Sequence, residues 1–208
     1  MRTMYDAVNA LNIPDPLNVA MVAGYVTGDT TWSAADWARF PHAVKVRIDA
    51  LGSAPLASDV LDVEPGNLGI RAVPPDATAA EVEQMWADLC ARAKAWVEVR
   101  HAHKLGSTCY IEASRKNQLA LELSGLPCVY WMADWDIPES VADSLIRGAE
   151  VAIQYKSTPG YDVSKVHDNW FPAAAVQVAP PPSHVPPALV SVKMIATYSD
   201  KTTKEIDL

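Results

Sequence analysis

The sequence predicts an α/β fold, a TIM-like (β/α) barrel of about eight strands with a reduced outer ring of helices. Short apolar segments alternate with helical patterns from the N-terminus to about residue 172, and this alternation predicts a parallel sheet. Several of the apolar segments have no alternating polar face, which is typical of strands covered on both sides. About eight such strands favour a closed barrel over an open sheet.

The expected strands are short apolar runs bounded by turn residues. In chain order they cover residues 3–8, 19–26, 44–49, 59–64, 108–112, 128–134 and 152–155, with a weaker eighth near 163–168. The connections 9–18 and 52–58 look too short to hold helices. The outer ring of helices is therefore expected to be incomplete.

Helix starts can be recognised between these strands. Residues 33–36 and 78–81 match the capping-box pattern, in which a Ser or Thr precedes an acid by three positions. The second box leads an apolar stripe from Val82 to Trp96, about five helical turns long. Ser114 and Pro138 are expected to begin two further helices.

The composition changes near residue 176. Residues 1–175 are expected to form the barrel, the proline-dense segment 176–188 an extended spacer, and residues 189–208 a β-hairpin appendage. A lone two-stranded hairpin is only marginally stable in water. It therefore either packs back on the barrel or adds its edges to a partner.

Composition excludes several classes of function. The formal net charge is −8 and no basic run exists, so neither a nucleic-acid nor a membrane partner is expected. No apolar stretch approaches the length of a membrane span, and the N-terminus lacks a signal-peptide layout, so synthesis in a cytoplasm is expected. The three cysteines form no C-x-x-C pair. Neither a metal nor another cofactor is expected.

A pair of acids at the end of the fourth expected strand, Asp62 and Glu64, is the most informative motif. Residues i and i+2 of a strand face the same way, and two carboxyl groups held close have their pKa values pushed apart. Glycoside hydrolysis needs one ionised and one protonated acid. For a bare D-x-E pair, however, two solvated acids at a strand end are the more common case.

Acids and aromatic residues recur at the other expected strand ends. The acids are Asp6, Asp49, Asp134, Asp162 and Asp168. The aromatic residues are Tyr5, Tyr25, Trp32, Tyr110, Trp131, Trp135, Tyr155 and Trp170. In a parallel barrel the strand ends converge on one rim, where active sites form. Aromatic faces beside a carboxylate pair suit pyranose rings, although such residues also fill barrel cores.

Four short motifs follow one another in a recognisable order. They are Tyr5-Asp6, Asp62-Val63-Glu64, Tyr130-Trp131-Met132-Ala133 and Gln154-Tyr155. This order resembles glycoside hydrolase family 25, the lysozyme-like muramidases. It resembles more closely the glycoside-hydrolase-like barrel proteins of actinobacteria and their phages, through residues 3–6, 22–26 and 37–41. The resemblance covers about residues 3–172 and leaves the spacer and hairpin outside.

The resemblance implies an eight-stranded barrel with few helices and a role for each acid. Glu64 is expected to be the general acid that protonates the glycosidic oxygen. Asp62 is expected to stabilise the oxocarbenium charge or to orient the acetamido group, and Asp6 to support the pair. Tyr5 stands where the family usually has glycine, which predicts a narrower cleft. The expected substrate-binding residues are Asp162, Asp134, Tyr25, Trp131, Trp135, Gln154 and Tyr155.

Two functions follow as expectations. The first is a phage-associated, muramidase-like hydrolase that acts on or binds the glycan strands of cell-wall peptidoglycan, with activity on the acid side of neutral pH. The second is a non-catalytic virion protein, such as a minor tail or capsid decoration subunit. In that case the barrel is a scaffold or glycan binder, and residues 189–208 contact other virion proteins. The expected locations are the host cytoplasm during synthesis and the virion.

Overall fold

The structure is a computed structural model that describes residues 1–135, 137–170, 193–197 and 203–207 of the 208-residue chain. The chain divides into two compact units, Met1–Ala173 and Ala174–Leu208. The proline-dense spacer expected at residues 176–188 lies outside the described residues.

Eight strands of the first unit close into a barrel. They are β1 (Arg2–Asp6), β2 (Met21–Tyr25), β3 (Val44–Asp49), β4 (Val60–Val63), β5 (Thr108–Glu112), β6 (Val129–Ala133), β7 (Glu150–Ser157) and β8 (Asp162–Val166). Each strand pairs with the next in chain order, and β8 closes onto β1. A closed eight-stranded barrel with few helices confirms the barrel class predicted from the sequence.

The last strand runs in an unexpected direction. Strands β1 to β7 are parallel to one another, whereas β8 is antiparallel to both of its neighbours. The prediction of an all-parallel sheet is therefore wrong for β8. The connection 158–161 is too short for the crossover that two parallel strands require. It forms a tight turn instead, in which the Thr158 N–H donates to the Tyr161 carbonyl at 3.0 Å.

In the part of the chain that the structure describes, four α-helices cover part of the barrel. They are α1 (Ala34–Ala38), α2 (Ala79–Ala102), α3 (Lys116–Glu122) and α4 (Glu139–Leu145). Capping boxes are present at Ser33 and Thr78, where each side chain accepts a hydrogen bond from the backbone N–H of the acid three residues later. The long helix α2 packs Leu89 and Trp96 into the same core as β4.

A second apolar core fills the inside of the barrel. Inward-facing residues of successive strands, including Met4, Met21 and Val60, pack there with Trp131 and Trp170. These residues lie in the half of the barrel interior that is nearer the amino ends of β1 to β7. Toward the carboxyl ends of the strands, the next inward positions of β1, β4 and β7 are the polar residues Asp6, Asp62 and Gln154, and the candidate site is built around them.

The second unit contains two described strands. Strand β9 (Lys193–Thr197) pairs antiparallel with β10 (Thr203–Asp207), with Lys193 opposite Asp207. The connection between them lies outside the described residues. Within the described parts of the chain, no helix is both long enough and apolar enough to cross a membrane.

Candidate functional site

The alternation of side chains along β4 decides which way its acids face. Leu61 and Val63 pack outward into the core shared with α2, whereas Val60 packs inside the barrel. Asp62 therefore points inward. Glu64 follows directly after the strand and lines the same cavity as Asp62.

This cavity lies at the carboxyl ends of β1 to β7 and has a volume of about 180 Å³. Its walls carry four acids, four aromatic residues and three others: Asp6, Asp62, Glu64, Asp162, Tyr25, Tyr110, Trp131, Trp135, Ile48, Gln154 and Ser157. Pockets for drug-sized ligands occupy roughly 300–1,000 Å³. The cavity is therefore of a size for one small ring or side group rather than for a long stretch of glycan.

The antiparallel direction of β8 brings a fourth acid to the cavity. Asp162 is the first residue of β8 and stands directly opposite Asp6, the last residue of β1. Cβ atoms of directly opposed residues lie about 4.5–5.5 Å apart, and like charges at such positions are destabilising. The fold thus holds two carboxyl groups together at the rim although their mutual repulsion opposes it.

Polar neighbours hold the acids in place. The Tyr25 hydroxyl donates to Asp62 Oδ2 at 3.3 Å, and the side chain of Asn67 also hydrogen-bonds Asp62. The Tyr110 hydroxyl donates to the Glu64 carboxyl group. Each acid of the pair therefore has its own aromatic hydroxyl, from β2 for Asp62 and from β5 for Glu64.

Burial shifts the pKa of every acid in the cavity upward. Burial, followed by repulsion from Asp162, Asp62 and Glu64, raises the pKa of Asp6 well above its usual value. Burial raises the pKa of Asp62 to about 7, although hydrogen bonds from Asn67 and Tyr25 oppose the rise.

The second acid of the pair is shifted further. Burial and the charge of Asp62 raise the pKa of Glu64 to about 8. Burial also raises the pKa of Asp162, against hydrogen bonds from Ser157 and Gln154. Near neutral pH the cavity therefore retains protons, and Glu64 holds its proton more firmly than Asp62.

Three buried oxygen atoms of the cavity walls lack a hydrogen-bond partner among the described residues. They are Asp6 Oδ1, Asp62 Oδ1 and Gln154 Oε1. The amide nitrogen of Gln154 donates to Asp162, which fixes the orientation of its amide oxygen. Buried polar atoms are normally paired, so these three oxygens leave hydrogen-bonding capacity unused in the residues that line the cavity.

The aromatic residues of the cavity differ in exposure. Trp131 is almost fully buried, and its indole N–H donates to Ser164 Oγ at 3.0 Å. It forms the floor of the cavity together with Tyr110, whose ring packs edge-on against it. Trp135 is 43 % exposed. It therefore presents a free aromatic face at the mouth.

Other acids expected at the rim lie elsewhere. Asp49 is buried outside the barrel, because the inward positions of β3 are Val46 and Ile48. Its carboxyl group accepts hydrogen bonds from the Trp96 indole at 3.0 Å and from the Ala54 N–H at 2.8 Å. Asp49 therefore organises the loop after β3 instead of contributing to the cavity.

Asp134 and Asp168 are also absent from the cavity walls. Asp134 is half-buried. It follows Ala133, which is an inward position of β6, so the Asp134 side chain points away from the barrel axis. Asp168 lies at the opposite end of the barrel because β8 is antiparallel, and there it pairs with the N-terminal ammonium group at 2.9 Å. Both expectations assumed that an acid near a strand end faces the rim.

Two tyrosines expected near the cleft lie on the outer side of the barrel. Tyr155 packs against the core under α2 and α3, beside an irregularity in the pairing of β7 with β8. Tyr5 packs against Tyr161 with ring centroids 5.8 Å apart, next to the outer core that contains Trp32. The prediction that Tyr5 narrows the cleft is therefore wrong.

Sequence reasoning missed two residues that contact the acids, Ser157 and Asn67, and named a third, Tyr110, only among the strand-end aromatic residues. Tyr110 occupies the inward position of β5 two residues before Glu112, so the period of the strand could have assigned it. Ser157 ends β7, close to Asp162. Asn67 reaches Asp62 from the loop after Gly66, and no pattern in the sequence indicates that contact.

No group of three His, Cys, Asp or Glu side chains in the described parts of the chain is arranged to hold a metal ion. The cysteines Cys90, Cys109 and Cys128 are all free thiols. In comparisons with known proteins, no family model, no curated protein and no solved structure matches this chain. The cavity itself is therefore the main basis for a functional proposal.

Proposed function

We propose that the protein is a glycoside-hydrolase-like protein with a TIM-like barrel, acting on glycan strands of cell-wall peptidoglycan. One observation carries the proposal: Asp62 and Glu64 line the same cavity, where burial raises the pKa of both and the charge of Asp62 raises that of Glu64 in addition. Two carboxyl groups with separated pKa values are the requirement for acid-assisted cleavage of a glycosidic bond.

In the proposed reaction Glu64 donates its proton to the glycosidic oxygen as the bond to the leaving sugar breaks. Water adds to the anomeric carbon and gives up a proton to one of the two carboxyl groups, which completes the hydrolysis. Asp62, ionised and hydrogen-bonded by Tyr25, stabilises the positive charge that develops at the anomeric carbon or orients the neighbouring acetamido group. The exposed indole of Trp135 offers a flat apolar surface to a sugar ring at the mouth. Asp6 lines the same cavity from β1 and supports the pair.

The resemblance to family 25 and to the phage-associated barrel proteins belongs to the same proposal. It is supported by the position of Asp6, Asp62 and Gln154 on the inward face of three different strands, at one end of a closed barrel. Active sites of barrels with parallel strands lie at this end. The antiparallel β8 does not remove the rim, because its first residue joins it.

The test is the conversion of Glu64 to a group that cannot donate a proton. We expect Glu64→Gln to lower the rate of reducing-end release from purified peptidoglycan by about 10²–10⁴-fold, the usual contribution of general acid catalysis. Glu98→Gln, at an exposed position of α2, is the matched control and should keep the wild-type rate. Equal inactivity of wild type and Glu64→Gln, both folded, would show that the protein does not catalyse this reaction.

A second candidate function is supported by the second compact unit. Its two described strands form a sheet of their own, and unpaired sheet edges readily accept a strand from another chain. We propose this unit, with the segment 189–208, as the contact to other virion proteins if the barrel is a non-catalytic scaffold. Deletion of residues 177–208 should then remove the protein from particles. Assembly of the shortened chain at normal levels would exclude this role.

A further inference from the structure

The hydrogen-bonding capacity left in the cavity is one-sided. The unpaired buried atoms, Asp6 Oδ1, Asp62 Oδ1 and Gln154 Oε1, are all oxygens, and the two carboxyl oxygens accept hydrogen bonds when their groups are ionised by a bound cation. A carboxylate or amide oxygen needs a donor from its ligand, because an unpaired buried polar atom costs about 1–3 kcal/mol. A ligand that fits this cavity must therefore bring several N–H or O–H groups.

Three donors of the cavity walls are already engaged. The Tyr25 hydroxyl donates to Asp62, the Tyr110 hydroxyl to Glu64, and the Trp131 indole N–H to Ser164. An acetamido group carries one N–H, one carbonyl oxygen and no charge. It can hydrogen-bond in the cavity, but it provides no counter-ion for the acids.

The charged side chains that line the cavity are all acidic. Asp6, Asp62, Glu64 and Asp162 line it, and among the lining residues that the structure describes none is Lys, Arg or His. The described part of the chain therefore provides no cation there to neutralise four neighbouring carboxyl groups. Mutual repulsion contributes to the raised pKa of Asp6 and of Glu64, and a bound cation would relieve it.

Aromatic rings complete the surroundings. Tyr25, Tyr110 and Trp131 stand around the acids, and Trp135 stands at the mouth. Aromatic faces attract cations through their quadrupole and also pack against the apolar face of a sugar ring. Acids and aromatic residues together therefore favour a ligand that is both a ring and a cation.

We infer that the cavity binds the ammonium group of an amino sugar, that is, a hexosamine residue whose 2-amino group carries no acetyl group. An ammonium group has three donors and no acceptor, which matches the three unpaired oxygens, and its charge matches the four acids. The inference rests on the proposed glycan function and specifies which sugar the site selects: de-N-acetylated positions of a glycan strand.

Calorimetric titration of the full chain with two tetrasaccharides of equal length tests this. One is the β-1,4-linked oligomer of glucosamine, measured at a pH where its amines are protonated, and the other is the oligomer of N-acetylglucosamine. We expect the glucosamine oligomer to bind at least about tenfold tighter, because charge-assisted hydrogen bonds are roughly twice as strong as neutral ones.

Variants assign the preference to the cavity. Asp6→Asn and, independently, Asp162→Asn should each reduce the preference for the glucosamine oligomer several-fold, whereas Asp88→Asn, at an exposed position of α2, should leave it unchanged. Two cavity variants keep the test decisive if one of them does not fold. A preference that survives both substitutions, in variants whose melting curves show them to be folded, would overturn the inference.

The wild-type titrations separate this inference from the proposed function. Equal or tighter binding of the N-acetylglucosamine oligomer overturns the inference and leaves a glycan-binding barrel. Binding of neither oligomer overturns the inference together with the glycan function. Cleavage of peptidoglycan by the wild type, with loss in Glu64→Gln, supports the proposed function whichever oligomer binds more tightly.

Discussion

The carboxyl group of Asp62 has an environment that favours its protonated form. It is 1 % exposed and lies near other acids, and burial raises its pKa to about 7 from an ordinary value of 3.8. Between these two pH values the unfolded chain is ionised at this position while the folded chain keeps the proton. Because the folded state binds more protons there, the free energy of unfolding falls as pH rises through this window.

We therefore expect Asp62→Asn to stabilise the protein above neutral pH. The amide carries no charge, so the penalty disappears, and it still accepts a hydrogen bond from Tyr25. The melting temperature at pH 8 should rise by about 2–4 °C for each kcal/mol of penalty removed, and the gain should shrink toward pH 4. Asp88→Asn should show no such pH-dependent gain. If Asp62→Asn were as much less stable than the wild type at pH 8 as at pH 4, burial would not be the cause of the penalty.

The pair also predicts a pH dependence of activity. The proposed reaction needs Asp62 ionised and Glu64 protonated, and the pKa of Asp62 is raised to about 7 and that of Glu64 to about 8. The other titratable groups that act on the pair are Asp6, Asp162, Glu112, Tyr25 and Tyr110. Activity should fall as pH drops through the lower value, because Asp62 becomes protonated. It should also fall as pH rises through the upper one, because Glu64 loses its proton.

The expected profile of kcat/KM is thus a bell centred slightly above neutral, rather than on the acid side as the sequence suggested. Rates of peptidoglycan cleavage across the pH range, with buffers overlapping, measure it. The two limbs belong to the pair as a whole, since the acids interact. A rate that keeps rising at strongly alkaline pH would remove Glu64 as the proton donor.

At the scale of elements, β2 depends on a residue without a side chain. A Cβ atom at Gly24 would lie 2.4–2.7 Å from three atoms of the Trp32 indole. Trp32 is itself fixed, because its N–H donates to the carbonyl groups of Ala7 and Val8 at 3.1 and 3.2 Å. The ring closes the outer side of β2 and packs with Phe40.

We expect Gly24→Ala to destabilise the barrel by about 1–3 kcal/mol, the usual effect of inserting a methyl group into a packed core. Gly106→Ala is the matched control, because a Cβ atom there would meet nothing within 4 Å. Chemical denaturation of both variants measures the difference. Equal midpoints for the two variants would show that Trp32 yields without strain.

The elements also show what the sequence can specify. Strand positions were predictable to within a few residues, because short apolar runs such as residues 44–49 are separated by turn residues. The direction of β8 was not, since hydrophobic periodicity is the same for parallel and antiparallel strands. Only the length of the connection 158–161 contained that information.

The site was predictable where alternation applied and not elsewhere. Asp62 and Glu64 share a face because they are two residues apart, and their cavity follows from β4. The prediction for Asp49 was wrong, because an acid at a strand end faces the inside of the barrel only if it is an even number of residues from the inward positions. On β3 these positions are Val46 and Ile48. Which positions face inward depends on which face meets a helix, and a single strand does not reveal this.

At the scale of the whole molecule, stability and the proposed function come from different parts of the barrel. Closure of β8 onto β1 leaves no open edge in the eight-stranded sheet, and apolar residues fill the half of the barrel interior nearer the amino ends of β1 to β7. The free energy gained from this packing offsets the free energy that the cluster of acids at the rim costs the folded state. Stability in excess of the folding threshold is what allows such a cluster to persist.

We therefore expect the barrel to fold without the rest of the chain. All eight of its strands lie in the unit Met1–Ala173, so a chain of these residues should unfold cooperatively, with a melting temperature within a few degrees of the full chain. It should also bind the glucosamine oligomer with unchanged affinity, because every cavity residue is retained. Calorimetric melting and titration of the two chains side by side measure both quantities. A shortened chain that is folded but no longer binds the sugar would show that residues beyond 173 complete the site, and an unfolded one would show that the barrel needs them for stability.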